Sequence, residues 1–188
     1  IHLHKRIPAE AGMGGGSSDA ASCLLALNRL WGLGLRRNEL ARIGLALGAD
    51  VPFFVGGRNA WVEGVGERLT PISLPAARFL VVKPPTGAST PEIFQSPRLK
   101  RDTKTAILQG FAANSTAEPE STGSLIRCDL QKILAFGHND LQPVAQSLCP
   151  DVVRCLDWLV SLGLDGRMTG SGTAVFAQML QATNLSGA

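Results

Sequence analysis

No tyrosine occurs in this chain, aromatic residues make up only 5% of it, and its four cysteines form no Cys-x-x-Cys pair. Few aromatics, together with a cationic excess of only 18 over 15, exclude the dense basic and aromatic face of a nucleic-acid reader. No apolar stretch approaches the roughly 20 residues that a helical membrane span requires, so no membrane partner is expected. Cys23, Cys128, Cys149 and Cys155 are scattered and are expected to be reduced thiols in a cytoplasmic protein. A signal-peptide pattern and an initiator methionine are also lacking, and the chain opens at Ile1 in strand-like alternation, with Ile1, Leu3 and Ile7 on one face. It is expected to be part of something longer. His2 and His4 lie on the other face, and with no third ligand in view they are not assigned to a metal.

What is present is a globular composition, 45% hydrophobic and 18% charged over 188 residues, enough for one medium domain or two small ones. The pattern alternates between helical and strand-like stretches. Ala20, Leu24, Leu27 and Trp31 recur at helical spacing, with Ser17 or Ser18 suited to cap the helix and Gly32 and Gly34 to stop it. A second helix is expected with Asn38 as its cap, Leu40, Ile43 and Leu47 as its buried stripe and Gly48 as its end. "NAWVEGVGERLTPI" predicts two short strands about Gly64-Val65-Gly66, and "ARFLVVKPP" a buried strand stopped by prolines. From Thr103 to Gly123 small and polar residues predominate, which predicts a mobile loop. Val152, Leu156 and Leu159 mark a later amphipathic helix, and "RMTGSGTAVFA" a glycine loop running into a strand.

The first glycine run, "PAEAGMGGGSSDAAS", feeds a helix start. Amides there lack intrahelical acceptors and carry partial positive charge, so glycines that let an anion approach make a ready phosphate site from Gly12 to Ser18. No lysine follows as in a Walker A loop, and no glycine stands at position 17 as a dinucleotide fingerprint requires. A turn that binds nothing is the alternative, against which the adjacent Ser17 and Ser18 hydroxyls weigh. Asp50, between Gly48-Ala49 and Val51-Pro52-Phe53-Phe54, reads as a carboxylate at a helix end in an apolar setting, where an unpaired charge is costly. It serves either as a cap or loop-closing group, or as a chemical one. Ser89, Thr90 and Pro91 read as a helix start, and Phe94 on the residues alone reads as core.

"PxxxGMGGGSSDAA", "LALGADVPFFV", "EGVGERLTP", "STPEIF", "NDLQPVA" and "RMTGSGTAVFA", in this order, resemble the motifs of the GHMP kinase superfamily. The resemblance implies an α+β, two-domain GHMP kinase fold. Residues 1–75 would form a partial N-terminal ATP-binding domain similar to the second domain of ribosomal protein S5, and residues 76–188 a ferredoxin-like C-terminal domain. It implies a kinase acting on a small-molecule cytidine diphosphate substrate, with ATP and Mg2+ as cofactors. Another GHMP kinase, of homoserine or mevalonate type, and a non-catalytic nucleotide-binding module are the alternatives.

By the same resemblance Pro8, Ala9, Glu10, Ala11, Gly12, Met13, Gly14, Gly15, Gly16, Ser17 and Ser18 wrap the ATP phosphates, and Asp50 accepts the proton of the substrate hydroxyl. Thr90, Phe94, Gly170, Ser171 and Gly172 contact the substrate, Phe94 by stacking on the cytosine ring. The family's lysine-bearing Pro-x-Lys-x-Asn stretch does not occur in this sequence, so the chain is expected to be inactive alone. The resemblance names no metal ligands in this sequence and no oligomeric state.

Overall fold

Where glycines give way to alanines and leucines the chain turns helical, and α1 (Gly15–Leu30) begins. The structure is a computed structural model that describes residues 1–113 and 125–179. After α1 come α2 (Arg37–Leu45), α3 (Val51–Gly56), β1 (Ala60–Glu63), β2 (Arg68–Ser73) and β3 (Arg78–Val82). Next are α4 (Thr90–Gln95), a 3-10 turn at Leu108–Phe111, β4 (Ile126–Arg127) and α5 (Leu130–Phe136). The described chain closes with α6 (Gln142–Leu148), α7 (Pro150–Ser161), β5 (Gly166–Met168) and β6 (Val175–Met179). The fold is thus mixed helix and sheet, in two compact units.

One unit comprises Gly14–Pro75 and Thr105–Gly137. In it α1, α2 and α3 bury Ala21, Leu40, Val51 and Val55 against one another. Each fully buried valine or leucine side chain contributes about 1.5–3 kcal/mol, and these four hold the helices together. Strands β1 and β2 form an antiparallel hairpin from Ala60↔Pro71 to Glu63↔Arg68, and β4 adds to β2 in parallel. A second core forms around Ile72, Leu108 and Cys128, with Trp61 and Ile133 packed on it. Asp129 accepts hydrogen bonds from the Gln131 and Lys132 amides and so caps α5.

The other unit comprises Ile1–Met13, Ala76–Lys104 and His138–Ala188. Its sheet runs β3-β6-β5, antiparallel throughout. Helices α6 and α7 supply Val144, Ala145, Val152, Leu156 and Leu159 to its core, which also takes Ile93 of α4 and Met168, Val175 and Ala177 of the sheet. The chain passes between the two units at Met13 and Gly14, inside the glycine-rich run.

Several local expectations are corrected. Ile1–Ile7 forms no strand: Ile1, Leu3 and Ile7 are exposed, and without a ladder partner alternation alone does not order a strand. Neither Ser17 nor Ser18 caps α1, because Gly14 at φ 66° takes the cap position and puts both serines in the first turn. Helix α2 starts at Arg37 and ends at Leu45, and the Glu39 carboxylate accepts from the Arg36 amide at 2.8 Å. Ile43 and Leu47 are exposed, while Leu40 and Gly44 face inward, with Gly44 against Val51. Trp31 lies just past the end of α1 and is exposed. The expected loop of Thr103–Gly123 is interrupted by Leu108 and Phe111, both buried, because two large apolar groups spaced by one 3-10 turn suffice to anchor a segment. Its residues 114–123 lie outside the described residues.

All four cysteines are free, and burial pushes the Cys128 and Cys155 thiols up. Among the described residues no helix is long and apolar enough to cross a membrane.

Candidate functional site

The two glycine loops and the Asp50 turn are built differently in each unit. In the helical unit Ser18 donates its amide to Gly14 at 2.8 Å, and the preceding amides of Gly15, Gly16 and Ser17 have no acceptor among the described residues. The helix is 16 residues long, so its start carries the full dipole of a helix terminus. Gly16 is exposed, and a side chain built on it would meet nothing within 4 Å. The Ser17 and Ser18 hydroxyls make no hydrogen bond among the described residues. Open approach, unpaired amides and idle hydroxyls are what an anion such as a phosphate requires.

Helix α3 lies against this start at two places. The Phe54 ring touches Gly14, where a Cβ would stand 2.7 Å from it, and the Ser17 hydroxyl lies 3.9 Å from the corresponding point on Gly48. Asp50 follows Gly48 by two residues and occupies the position before Val51, with helical backbone angles and no side-chain capping bond. The expected apolar setting is not observed: the Asp50 carboxylate is exposed, with no hydrogen bond or ion pair among the described residues. A carboxylate with no partner among the described residues, two residues beyond the Gly48 that lies beside Ser17, suits proton transfer better than capping.

In the sheet-bearing unit the second glycine loop is interlocked with the segment before Met13. Thr173 and Ala174 donate their amides to Glu10 and Ala11, each at 3.3 Å, and the Thr169 hydroxyl donates to the Gly12 carbonyl at 3.1 Å. Side chains on Gly12 or Gly172 would drive into the facing backbone, Thr169 and Gly12 respectively. These glycines therefore serve contact between two strands of backbone, which the phosphate reading of the run had not distinguished from ligand approach. Ala11 is buried and Pro8, Ala9 and Glu10 are exposed.

At the outer side of the same loop the Ser171 and Thr90 hydroxyls lie 3.1 Å apart. Thr90 opens α4, with Ser89 in the cap position, though its hydroxyl makes no capping bond, and with Pro91 in the first turn. On α4 it is Ile93 that is fully buried and Phe94 that is half exposed, so the expectation of a core Phe94 is corrected. A six-residue helix has room for one inward position here, and Ile93 holds it. Arg101 gathers the carbonyls of Phe94, Ser96 and Leu99 and so fixes the end of the helix that carries Phe94.

Residues 1–58 match the family described as GHMP kinases N terminal domain, and residues 129–179 match GHMP kinases C terminal. The chain belongs to the GHMP kinases. Among GHMP kinases it is 59% identical, over all of its length, to a 4-diphosphocytidyl-2-C-methyl-D-erythritol kinase of Polaromonas naphthalenivorans (strain CJ2), and covers 59% of that protein. It is 58% identical over 185 residues to the protein of the same name from Variovorax paradoxus (strain S110), with 96% of this chain and 60% of the relative covered. A crystal structure of 4-(cytidine 5'-diphospho)-2C-methyl-D-erythritol kinase superposes with a TM-score of 0.68 at 34% identity, over 94% of this chain and 60% of the other. The chain spans about three-fifths of the length of these GHMP kinases.

Two features of the site were not singled out from the sequence. Asn139 donates its amide nitrogen to the carbonyls of Met168 at 3.0 Å and Gly170 at 2.8 Å, and Gln142 accepts from the Met168 amide at 2.8 Å. Both belong to "NDLQPVA", whose place among the motifs was the available signal. Gly66, at the tip of the β1–β2 hairpin, rests on the Ala49 carbonyl beside Asp50; "EGVGERLTP" contained it.

Proposed function

We propose that this chain carries the phosphate-binding and catalytic elements of an enzyme that phosphorylates the 2-hydroxyl of 4-diphosphocytidyl-2-C-methyl-D-erythritol with ATP, in cytoplasmic non-mevalonate isoprenoid synthesis. The observation that carries the reading is the exposed, unpartnered Asp50 carboxylate on a turn that packs against the open N-terminus of α1. The kinase activity for which these relatives are named points to the substrate, and the motif order supports it.

Bound ATP supplies the γ-phosphoryl group and a good leaving group. The residues from Pro8 to Ser18 are assigned to its phosphates, with the Gly15, Gly16 and Ser17 amides and the Ser17 and Ser18 hydroxyls as donors. Asp50 takes the proton of the attacking hydroxyl as the oxygen becomes nucleophilic. Thr90 and the Gly170-Ser171-Gly172 turn are assigned to the substrate, and Phe94 offers an aromatic face to its cytosine ring.

Mg2+ belongs to this proposal as a companion of the phosphates. Among the described residues no group of three or more His, Cys, Asp or Glu could hold a metal ion, so no cage of protein ligands stands ready for it. No step is assigned to the metal.

The test is ADP release with purified 4-diphosphocytidyl-2-C-methyl-D-erythritol, comparing this chain with one completed to the relatives' length. Turnover by the completed chain with this acceptor, and none with homoserine or mevalonate, is expected. A completed chain that folds and binds ATP but turns over none of the three defeats the kinase reading; preference for one of the other two alcohols defeats the substrate.

A further inference from the structure

An asparagine amide group has two N–H donors and one oxygen acceptor, and Asn139 uses them all. Its nitrogen donates to the carbonyls of Met168 and Gly170, which flank Thr169, and its oxygen accepts from the Leu141 amide at 3.0 Å. The last bond fixes the side-chain rotamer, and Gln142, one residue into α6, takes the Met168 amide. The approach to the second glycine loop is therefore held from one side by two neighbouring side chains. From the other side it is held by the pairing of Thr173 and Ala174 with Glu10 and Ala11. The two attachments are bridged at Thr169, whose amide donates to the Ala174 carbonyl at 2.9 Å and whose hydroxyl donates to Gly12. Between them lies Ser171, whose hydroxyl meets that of Thr90.

We propose that Asn139 is a positioning residue: by clamping the Met168 and Gly170 carbonyls it sets the Ser171 hydroxyl against Thr90 and thereby tunes affinity for the phosphoryl acceptor. This rests on the assignment of Thr90 and Ser171 to the substrate. The residue type is demanding. Aspartate has the same shape but offers no donor and sets a negative charge against two carbonyl oxygens, while serine is too short to reach both. Because Thr169, Thr173 and Ala174 keep their own bonds to Ala174, Glu10, Ala11 and Gly12, loss of Asn139 should disturb Gly170 and Ser171 far more than Thr173 and Ala174.

The experiment has two arms. In this 188-residue chain, 15N relaxation is recorded for wild type, Asn139→Asp and Asn139→Ser, the second variant guarding against misfolding caused by the introduced charge. The expected result is a fall of the Gly170 and Ser171 amide order parameters from the rigid range, about 0.85, toward about 0.6, with a much smaller change at Thr173 and Ala174. Unaltered order at Gly170 and Ser171 overturns the proposal, as does equal loosening of 173–174.

In a chain of the relatives' length, calorimetric binding of 4-diphosphocytidyl-2-C-methyl-D-erythritol is expected to weaken by about 10–100-fold in either variant, with a non-hydrolysable ATP analogue held within about threefold. In a Ser171→Ala background the same Asn139 substitutions should cost nothing more, as expected of residues acting in series. Additive losses, or equal losses for both ligands, overturn the proposal. If wild type binds no acceptor, the functional reading fails, and the relaxation arm still decides whether Asn139 sets the loop.

Discussion

Gly66 rests on the carbonyl oxygen of Ala49, so the tip of the β1–β2 hairpin bears on the residue immediately before Asp50. A Cβ there would also stand 2.8 Å from the Ala49 carbonyl carbon, and the Gly66 φ of 106° is one that other residues rarely adopt. Gly66→Ala is accordingly expected to shift the Asp50 turn. In a chain of the relatives' length, turnover should fall about 10–100-fold while ATP affinity changes by less than about threefold. Steady-state kinetics beside a binding isotherm measure both, and unchanged turnover would show that the hairpin is not a support for Asp50.

Asp50→Asn keeps the size of the side chain and removes its basic charge. Turnover should drop by roughly 10²–10⁴-fold, the range of a general base, with much smaller changes in affinity for either substrate. Near-normal turnover would take Asp50 out of the chemistry.

Two glycines of the paired loops should respond in opposite ways. Gly172→Ala pushes a methyl group into the backbone of Ala11 and Gly12 and should lower stability by about 1–3 kcal/mol in denaturant unfolding. Gly16→Val places its side chain in open space, so stability should hold to within about 0.5 kcal/mol while ATP affinity falls at least tenfold. A Gly16→Val chain with normal ATP affinity would remove the α1 start from the nucleotide site.

Phe94→Ala deletes a half-exposed ring from a helix anchored by Ile93. The melting temperature should hardly move, and the Michaelis constant for the cytidine substrate should rise in line with a stacking contribution of about 1–3 kcal/mol. A matching rise for ATP would argue against stacking on cytosine.

The Glu67 carboxylate accepts from the Val65 amide at 2.7 Å, closing the hairpin tip. Its own amide and that of Val65 hold the group below the usual carboxylate range. Since the folded value is lowered, the ionised form stabilises the tip above the ordinary carboxylate range, and this contribution is lost as pH falls through the lowered value. An NMR titration should show the Glu67 side chain and the Val65 amide moving together, with a midpoint below those of exposed glutamates. Independent midpoints would dissolve the link.

The family and the succession of elements were legible because they rest on local signals: glycine before alanine and leucine at α1, the apolar stretches 79–82 in β3 and 175–177 in β6, prolines after strands. Details that depend on neighbours distant in sequence were not. Nothing local to Ser17 shows that Gly48 comes beside it, and nothing in the alternation of Ile1, Leu3 and Ile7 shows that no strand among the described residues pairs with it. Phe94 and Ile93 are equally apolar neighbours, and only the packing of α4 on Val144 and its companions decides which is buried. The roles of Asn139 and Gly66 are of the same kind, since each acts on backbone that the sequence places far away.

The bond between the Thr169 hydroxyl and the Gly12 carbonyl joins positions 157 residues apart. On a ribosome adding about 5–20 residues per second, Glu10 to Gly12 would be made roughly 8–30 s before their partners. The helical unit, whose last segment ends at Gly137, is complete earlier. During synthesis α1, α2 and α3 can therefore close on Ala21 and Val55 while residues 10–12 still wait for their partners, and the two glycine loops interlock only after the helical unit is made.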